Sequence, residues 1–287
     1  MKPWLPPRLV SVAALLAGLT ACSSDRVSGS DPNTGVIPRT DTSGQCQGIC
    51  DASSPSIPIL TDSVSYGDIT TYGSVSDPAP SQGGACNYGS TQVYAFAAIQ
   101  VNQLPGDLKG QWQGGHICGQ CLEVSLRSST GWKTTVLRIM DKCPDGNCGV
   151  DLGGEPAQVL MGDLPGRYSG KWQFVSCDGY PEVSDGPPTL FVKDGSNPYW
   201  SLVQVRNPAA QIAAIRIRPS AAGGSAAWDS LPWATEAENF YHVPVAVLQD
   251  SGDYDLQVDL PSGPRYGVTL KGSDLAEAQS SWPLQNL

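Results

Sequence analysis

Residues 67–73 read Gly-Asp-Ile-Thr-Thr-Tyr-Gly, and residues 83–89 read Gly-Gly-Ala-Cys-Asn-Tyr-Gly. These stretches open a region in which short β-branched and aromatic runs alternate with glycine- and proline-rich turns. The alternation predicts short strands, which cover 92–99, 121–126, 134–140 and 171–176. Apolar residues occupy both faces of 136–140, as in a strand of a closed barrel. A short helix is predicted over 156–162.

Further short apolar runs follow the proline- and glycine-rich segment at 181–188. The runs cover 190–193, 200–207, 212–218, 244–248, 254–260 and 266–271. Strands of this length, separated by turns, predict a β-sandwich of about 90 residues. The sequence therefore predicts an all-β chain of two domains, joined by a linker short enough to hold them close.

The amino terminus has the layout of a secretory signal peptide, with Lys2 and Arg8 ahead of an apolar run over 9–21. That run is shorter than the roughly 20 apolar residues that span a bilayer. Residues 19–22, Leu-Thr-Ala-Cys, resemble a bacterial lipobox, which would make Cys22 the lipidated first residue of the mature chain. The alternative is an ordinary signal peptide with a nearby cysteine. In both cases we expect export, to the extracellular space or as a cell-surface lipoprotein.

The formal net charge of −10 argues against a nucleic-acid partner, because phosphate binding needs a basic surface. It also disfavours strong binding to acidic wall polymers, whereas a neutral polymer experiences no such repulsion. Nothing after residue 21 predicts a membrane span, so membrane contact is expected only through a lipid on Cys22. The charge therefore favours a neutral partner.

The chain has 9 cysteines, and 8 remain (9 − 1) once Cys22 is set aside. An even number in an oxidising compartment predicts disulfides, although sequence alone does not choose among the possible pairings. The alternative is a zinc site, whose candidate ligands are Cys118, Cys121, Cys143 and Cys148. Export disfavours that site, and the chain has only two histidines, His116 and His242. We therefore expect no metal and no cofactor.

Five motifs occur in a fixed order. The first joins the two stretches quoted above. Cys-Gly-Gln-Cys-Leu-Glu-Val at 118–124, Ile-Met-Asp-Lys-Cys-Pro at 139–144 and Gly-Val-Asp-Leu at 149–152 follow it. The last combines Ser-Asn-Pro-Tyr-Trp at 196–200 with Val-Gln-Val-Arg-Asn at 203–207. In this order the motifs resemble those of bacterial expansins.

The resemblance implies a six-stranded double-psi β-barrel followed by an immunoglobulin-like β-sandwich that binds cellulose. The expected segments are a signal peptide at 1–22, a flexible linker at 23–62, the barrel at 63–180, a short linker at 181–188 and the sandwich at 189–280. The resemblance also implies the disulfides Cys86–Cys118 and Cys121–Cys177. The remaining cysteines then pair as Cys143–Cys148 and Cys46–Cys50.

Two aspartates are the candidate catalytic carboxyls. Inverting glycosidases need one carboxyl to protonate the leaving oxygen and a second to activate water. Asp141 and Asp151 lie at the end of a predicted strand and in the loop that follows it, where their side chains could project into a groove. The alternative is that they cap a turn and a short helix.

The second carboxyl of a hydrolase is not evident in the sequence. Small endoglucanases that share this barrel carry the base as an aspartate near the position of Ser74, and a hydroxyl cannot replace a carboxylate base near neutral pH. Asp77 is only a few residues away and stays an open candidate. Hydrolysis is therefore not expected unless Asp77 supplies the base.

The remaining residues resemble an expansin groove. The resemblance implies that Asp151 is an acid-like carboxylate, that Asp141 and Thr70 are its hydrogen-bonding neighbours, and that Tyr72 is a sugar-contacting ring. Cys143 is a departure, because bacterial relatives often carry an aromatic residue there. We expect this set to grip and strain a glucan chain.

Flat aromatic rings suit the apolar faces of the glucose units in cellulose, and Tyr199 and Trp200 occupy the family's paired-aromatic position. Adjacent strand residues point to opposite faces, so the alternative is that one of the two rings is core. Trp233 is the candidate third platform residue, with Phe240 or Tyr241 in reserve.

We expect a monomer that loosens cellulosic cell-wall polysaccharide without hydrolysis and whose partner is cellulose or a related neutral β-glucan. Three alternatives stay open. They are an endoglucanase that uses Asp77 or another carboxylate as base, a peptidoglycan lytic transglycosylase that uses a single aspartate, and a pure binding module in which the aspartates have no chemical role.

Overall fold

The computed structural model describes residues 64–102, 110–128, 131–220 and 226–287. Its first part is a closed barrel of six strands in the order β1-β5-β2-β4-β3-β6. The strands are β1 (Ser65–Thr71), β2 (Phe96–Gln100), β3 (Cys121–Ser128), β4 (Gly131–Cys143), β5 (Val150–Leu152) and β6 (Tyr168–Val175). Helix α1 (Gly154–Met161) follows β5 directly.

Parallel and antiparallel pairing both occur in the barrel. Strand β1 pairs in parallel with β5, and β2 pairs in parallel with β4, whereas the remaining pairs are antiparallel. Apolar side chains fill the interior, among them Ile69, Leu122, Leu137 and Trp172. The closed, all-β barrel agrees with the fold that the sequence predicted.

Packing against Trp172 explains why glycine is needed at two positions of the sequence motifs. Its indole lies so close to Gly149 that an added Cβ would stand 2.5 Å from the ring, and a Cβ at Gly67 would stand 3.1 Å from it. Side chains at these positions would displace a core tryptophan. The glycines that open two of the motifs therefore let β1 and β5 pack against Trp172.

Two sheets form the second part of the chain. A four-stranded sheet has the order β11-β8-β7-β14, and a five-stranded sheet has the order β10-β9-β12-β13-β15. The strands are β7 (Thr189–Val192), β8 (Leu202–Arg206), β9 (Ala214–Pro219), β10 (Asp229–Ser230), β11 (Tyr241–His242), β12 (Asp253–Leu260), β13 (Gly263–Lys271), β14 (Ser281–Pro283) and β15 (Gln285–Asn286). The sheets enclose an apolar core that includes Val205, Ile215, Leu256 and Tyr266. We call these sheets the sandwich.

The structure corrects two boundaries. The strand predicted over 244–248 is wrong, because the segment forms a single helical turn, α2 (Val245–Leu248), which begins after Pro244. A short apolar run fits either a strand or a buried helical turn, so its pattern could not decide. The sandwich also extends past residue 280, where its end was expected, because β14 and β15 continue to Asn286.

Three disulfides join Cys86 to Cys118, Cys121 to Cys177 and Cys143 to Cys148. The first two are the pairs that the resemblance implied, and the third is the pair expected by exclusion. Together they engage every sulfur of the alternative zinc site. Disulfides persist in oxidising compartments, which agrees with export. The expected lipidation at Cys22 and the pair Cys46–Cys50 lie outside the described residues. No helix in the described part of the chain is long and apolar enough to cross a bilayer.

Polar contacts, some buried and one exposed, join the barrel to the sandwich. The side-chain amides of Gln204 and Asn239 both donate to the carbonyl of Cys86, at 2.9 and 3.0 Å. Lys142 forms an ion pair with Glu238 at 2.8 Å. These contacts hold Cys86 and the carboxyl end of β4, at Lys142, against the sandwich.

Arg138 is the most deeply buried of the charged groups at this junction. Its Nε donates to the carbonyl of Val183 at 2.6 Å, and its Nη1 donates to the carbonyls of Gly119 and Pro208 at 3.1 and 3.0 Å. The guanidinium thus contacts the barrel, the connecting segment and the sandwich at once. Residues 136–140 of β4, which include Arg138, are buried on both faces.

Candidate functional site

Asp151 and Thr70 form the centre of the candidate groove. They are register partners in the parallel pair β1/β5, so their side chains leave the sheet side by side. The Thr70 hydroxyl donates to Asp151 Oδ1 at 2.6 Å. The pairing of two strands that are far apart in sequence therefore fixes one carboxylate oxygen.

The environment of Asp151 favours its protonated form. Burial is the main reason that the pKa of this carboxyl lies above its ordinary value, and the negative charges of Asp145 and Asp141 raise it further. The Thr70 hydrogen bond and the Arg167 guanidinium act in the opposite direction but do not cancel the effect of burial. A half-buried carboxyl of this kind is suited to holding a proton near a sugar oxygen.

Asp141, which lies near the candidate groove, also has a structural role. Its Oδ1 accepts the backbone N–H groups of Ala85 and Lys142, each at 2.8 Å. A Cβ at Gly84 would stand 2.5 Å from the Asp141 carboxyl carbon, so only glycine permits this approach. The carboxylate holds the loop of residues 83–89, which agrees with the turn-capping alternative.

Tyr72 lies directly after β1, where its backbone N–H donates to the carbonyl of Leu152 at 2.9 Å. Its ring packs edge-on against Phe96, with 5.8 Å between the ring centroids. Burial, followed by the charges of Asp141 and Asp151, raises the pKa of the Tyr72 hydroxyl far above its ordinary value. The hydroxyl therefore stays protonated beside the two carboxyls.

The disulfide Cys143–Cys148 forms a wall of the groove. Cys143 Sγ lies 3.9 Å from Asp151 Oδ2, and Cys148 Sγ lies 3.7 Å from the Thr70 hydroxyl. The two sulfurs and the carboxylate oxygen form a compact group, but sulfurs bonded to each other are not thiolate ligands. The disulfide occupies the position where an aromatic residue was expected in relatives.

Arg167 contributes to the candidate site, although no sequence pattern indicated this. Its guanidinium contacts the carboxylates of Asp145 and Asp68, at 2.5 and 3.2 Å, and thereby joins the loop after β4 to β1. No motif connects these residues. The closing of the barrel brings them together.

An exposed turn carries the paired aromatic residues. Asn197 and Trp200 exchange two backbone hydrogen bonds, and the Asn197 side chain accepts the N–H of Tyr199 at 2.9 Å. Tyr199 is 75% exposed. Trp200 is half-buried and packs against the cluster of Leu202 and Phe240. The turn directs Tyr199 to solvent and leaves Trp200 partly accessible.

Comparison with known proteins was informative only for solved structures. No protein-family model and no curated protein matches the chain. The crystal structure of the ligand-free expansin of Clavibacter michiganensis is similar, with a TM-score of 0.55 and 23% sequence identity over 78% of this chain and 96% of that chain. A variant of that expansin in complex with cellohexaose gives a TM-score of 0.54 and 20% identity over the same shares of the two chains.

The chain has the expansin fold. The match spans nearly the whole length of the Clavibacter expansin, so it includes both the barrel and the sandwich. At this level of sequence identity the likeness establishes the fold and leaves the chemistry to the residues present.

Within this expansin fold, Ser74 and Asp77 form a local turn. The Ser74 hydroxyl accepts the backbone N–H of Asp77 at 3.0 Å, and a Cβ at Gly154 would stand 2.1 Å from the Ser74 carbonyl oxygen. The turn is thus held against the start of α1. In the part of the chain that the structure describes, the exposed Asp77 carboxylate makes no hydrogen bond to Thr70 or Asp151.

The third candidate aromatic, Trp233, lies at the junction of the expansin fold. Its indole stacks on His116 of the barrel, with 3.9 Å between centroids, and meets the edge of Tyr241 at 5.1 Å. The reserve candidates Phe240 and Tyr241 are buried. One face of Trp233 is therefore covered by the barrel, and its place in a sugar-binding platform stays a prediction.

Proposed function

We propose that this chain binds cellulose or a related neutral β-glucan and loosens it without hydrolysis. The observation that carries the proposal is a half-buried carboxyl, Asp151, whose pKa burial raises and whose Oδ1 accepts the Thr70 hydroxyl at 2.6 Å. Inverting hydrolysis needs a second, ionised carboxyl that activates water on the opposite face of the sugar. Asp141 is instead bonded to two backbone N–H groups, and Asp77 belongs to an exposed turn.

The proposed partner follows from the surface chemistry. The exposed Tyr199 ring and the neighbouring Trp200 offer flat apolar faces to sugar rings, and the net charge of −10 favours a neutral polymer over an acidic one. The structural match to an expansin variant in complex with cellohexaose supports the same polymer class.

The test uses one purified sample in three assays, namely cellulose pull-down, creep of cellulose paper under load, and release of reducing sugar from soluble β-glucan. We expect binding and creep without sugar release. Asp151→Asn should abolish creep and retain binding, whereas Asp163→Asn, at an exposed position outside the groove, should change neither. Normal creep with Asp151→Asn would show that Asp151 has no role in loosening. Release of sugar by the wild type that is abolished in Asp77→Asn would establish an endoglucanase.

The binding surface has a separate test. We expect Trp200→Ala and Tyr199→Ala each to weaken cellulose binding by up to about tenfold, the loss associated with one aromatic contact. Trp132→Ala is the matched control, because it removes an exposed tryptophan from the barrel. Unchanged binding by Trp200→Ala would show that the platform is misassigned.

One observation favours a second candidate, a peptidoglycan lytic transglycosylase. Such enzymes cleave glycan with a single aspartate, and Asp151 is a single carboxyl with a raised pKa. Digestion of peptidoglycan followed by mass spectrometry distinguishes this function, since expansin-type loosening releases no glycan fragments.

We also propose export of a monomer anchored by a lipid on Cys22. Metabolic labelling with a radioactive fatty acid should mark the wild type but not Cys22→Ala. Size-exclusion chromatography with light scattering of the protein lacking residues 1–22 should give the monomer mass.

A further inference from the structure

A cleft of about 210 Å³ opens between the barrel and the sandwich. We call it the junction cleft. Tyr88 and Arg138 line it from the barrel, Arg206 and Ser281 line it from the sandwich, and Asp185 lines it from the connecting segment. Pockets for drug-sized ligands occupy about 300–1,000 Å³, so the junction cleft suits a smaller unit.

Arg138 places a charge that has no ion-pair partner among the described residues at the wall of this cleft. The residue is 2% exposed, and its Nε and Nη1 donate only to backbone carbonyls. Among the described residues its Nη2 makes no hydrogen bond, and no carboxylate forms an ion pair with the guanidinium. The charge of Asp185 favours the charged form of both Arg138 and Arg206 without forming an ion pair with either. A buried cation that lacks a direct ion-pair partner is an unusual arrangement in a folded protein.

Arg206 brings a second cation to the same cleft. Its guanidinium stacks on Phe191 at 3.4 Å from the ring centroid, and its Nε donates to the side-chain oxygen of Gln204 at 3.3 Å. Burial lowers the pKa of Arg206 from its ordinary value. Among the described residues, Arg206 also has no carboxylate within ion-pair distance. Its guanidinium group can therefore bind an anion.

Asp185 is the carboxylate that lines the junction cleft. Its Oδ2 accepts the backbone N–H of Gln92 at 3.1 Å, and it forms no ion pair with Arg138 or Arg206. Two arginines and one aspartate leave one excess positive charge (2 − 1) among the described lining residues. This local excess stands against a net charge of −10 for the whole chain.

We propose that the junction cleft binds one uronic acid residue of a wall polysaccharide, with the sugar carboxylate held between Arg138 and Arg206. The lining also offers the hydroxyl of Ser281 and the amide of Asn207, which match the hydroxyls of a sugar ring. This site is distinct from the groove at Asp151 and from the turn at Tyr199. The chain would thus recognise a neutral polymer at one surface and an acidic sugar unit at another.

Calorimetric titration of the full exported chain with sodium D-glucuronate tests the proposal. D-Glucose is the neutral control, since it carries a hydroxymethyl group in place of the carboxylate, and inorganic phosphate is the control for a generic anion. We expect glucuronate to bind at least about tenfold more tightly than glucose and more tightly than phosphate. Phosphate binding as tight as glucuronate binding, or no glucuronate binding, would overturn the proposal.

Two substitutions with opposite expected effects on glucuronate affinity sharpen the test. Arg206→Gln should weaken glucuronate binding by about tenfold or more, and Asp185→Asn should tighten it, because a competing negative charge is removed. Lys271→Gln, a loss of the same charge at an exposed residue outside the cleft, should leave it unchanged. Equal binding by wild type and Arg206→Gln, with thermal unfolding confirming that the variant is folded, contradicts the proposal.

Failure of this inference is distinguishable from failure of the proposed function. Arg206→Gln should bind cellulose as the wild type does, because the cleft does not include Tyr199 or Trp200. A parallel loss of cellulose and glucuronate binding would show that the cleft is not a separate site and would overturn the proposal.

Discussion

The barrel and the sandwich are both built from short strands, but they are stabilised in different ways. All three disulfides of the described chain lie between Cys86 and Cys177, and no cysteine follows Cys177 in the sequence. The sandwich relies on an apolar core between two sheets. Both regions also bury polar side chains, among them Arg138 and Gln120 in the barrel and Gln204 and Asp259 in the sandwich. The barrel in addition carries a half-buried carboxyl at Asp151.

The disulfides lie in the region that carries the candidate carboxyl Asp151. Buried polar and charged groups contribute less to stability than apolar groups of the same size. Disulfides offset this deficit, because they restrict the unfolded chain without adding contacts inside the barrel. The sandwich presents its candidate binding residues on an exposed turn outside its core, and its described residues contain no disulfide.

The largest expected effect comes from opening the disulfide with the greatest span. Cys121 and Cys177 are 56 residues apart, and loop-closure entropy assigns such a link about 4 kcal/mol. Replacing both by alanine should lower protection against amide hydrogen exchange in β3 and β6 far more than in β12 and β13. Equal loss of protection in the sandwich would break the comparison between the two regions.

The disulfide Cys143–Cys148 is the matched control, because its cysteines are only 5 residues apart. The same entropy argument gives it about 2 kcal/mol. Replacing this pair by alanine should therefore destabilise the barrel about half as much, while altering glucan loosening through its contacts with Asp151 and Thr70. If both double variants lose the same stability, loop length is not the cause.

The next largest expected loss of stability comes from replacing Arg138, which joins the two regions. Arg138→Met removes three hydrogen bonds and leaves the carbonyls of Gly119, Val183 and Pro208 buried without a donor. We expect a loss of about 3 kcal/mol in denaturant unfolding, shared by barrel and sandwich. Lys133→Met, an exposed change on the same strand, should stay within about 0.5 kcal/mol of the wild type.

The smallest expected effect is a pH dependence located in the barrel. The pKa of Asp151 is raised above 3.8 in the folded chain, so the folded state holds this proton more tightly than the unfolded state. The free energy of unfolding should therefore fall as pH rises from about 4 through the raised pKa. Asp151→Asn should remove this fall, and melting temperatures of both proteins from pH 3 to pH 7 measure it.

Two further variants sharpen the pH measurement. Thr70→Val removes the hydrogen bond that lowers the pKa of Asp151, so the fall in stability should extend to higher pH. Asp163→Asn should keep the pH dependence of the wild type. A constant difference between wild type and Asp151→Asn at every pH would show that Asp151 is not the group responsible.

Much of the fold was predictable because its motifs have local physical causes. Gly67 and Gly149 are the first residues of two sequence motifs, and the structure shows that both lie against the Trp172 ring. Most predicted strands were found within a few residues of their expected bounds. The segment 244–248 was wrong because four apolar residues after a proline satisfy a strand and a helical turn equally well.

The candidate site was predictable in part, for a different reason. Thr70 and Asp151 were named from motifs, and their contact depends on a parallel register between β1 and β5. The roles of Arg167 and Arg138 could not be inferred, because their partners lie far away in sequence and follow no motif. Such contacts arise from barrel closure and from the packing of the sandwich on the barrel.

Cys86 gives the molecule a mechanical property. Its sulfur is covalently tied to Cys118, while its carbonyl receives the amides of Gln204 and Asn239 from the sandwich. A pulling force on the sandwich would therefore enter the barrel at a residue that is already anchored to a second point of the chain. The load would be spread over two segments instead of peeling one of them away.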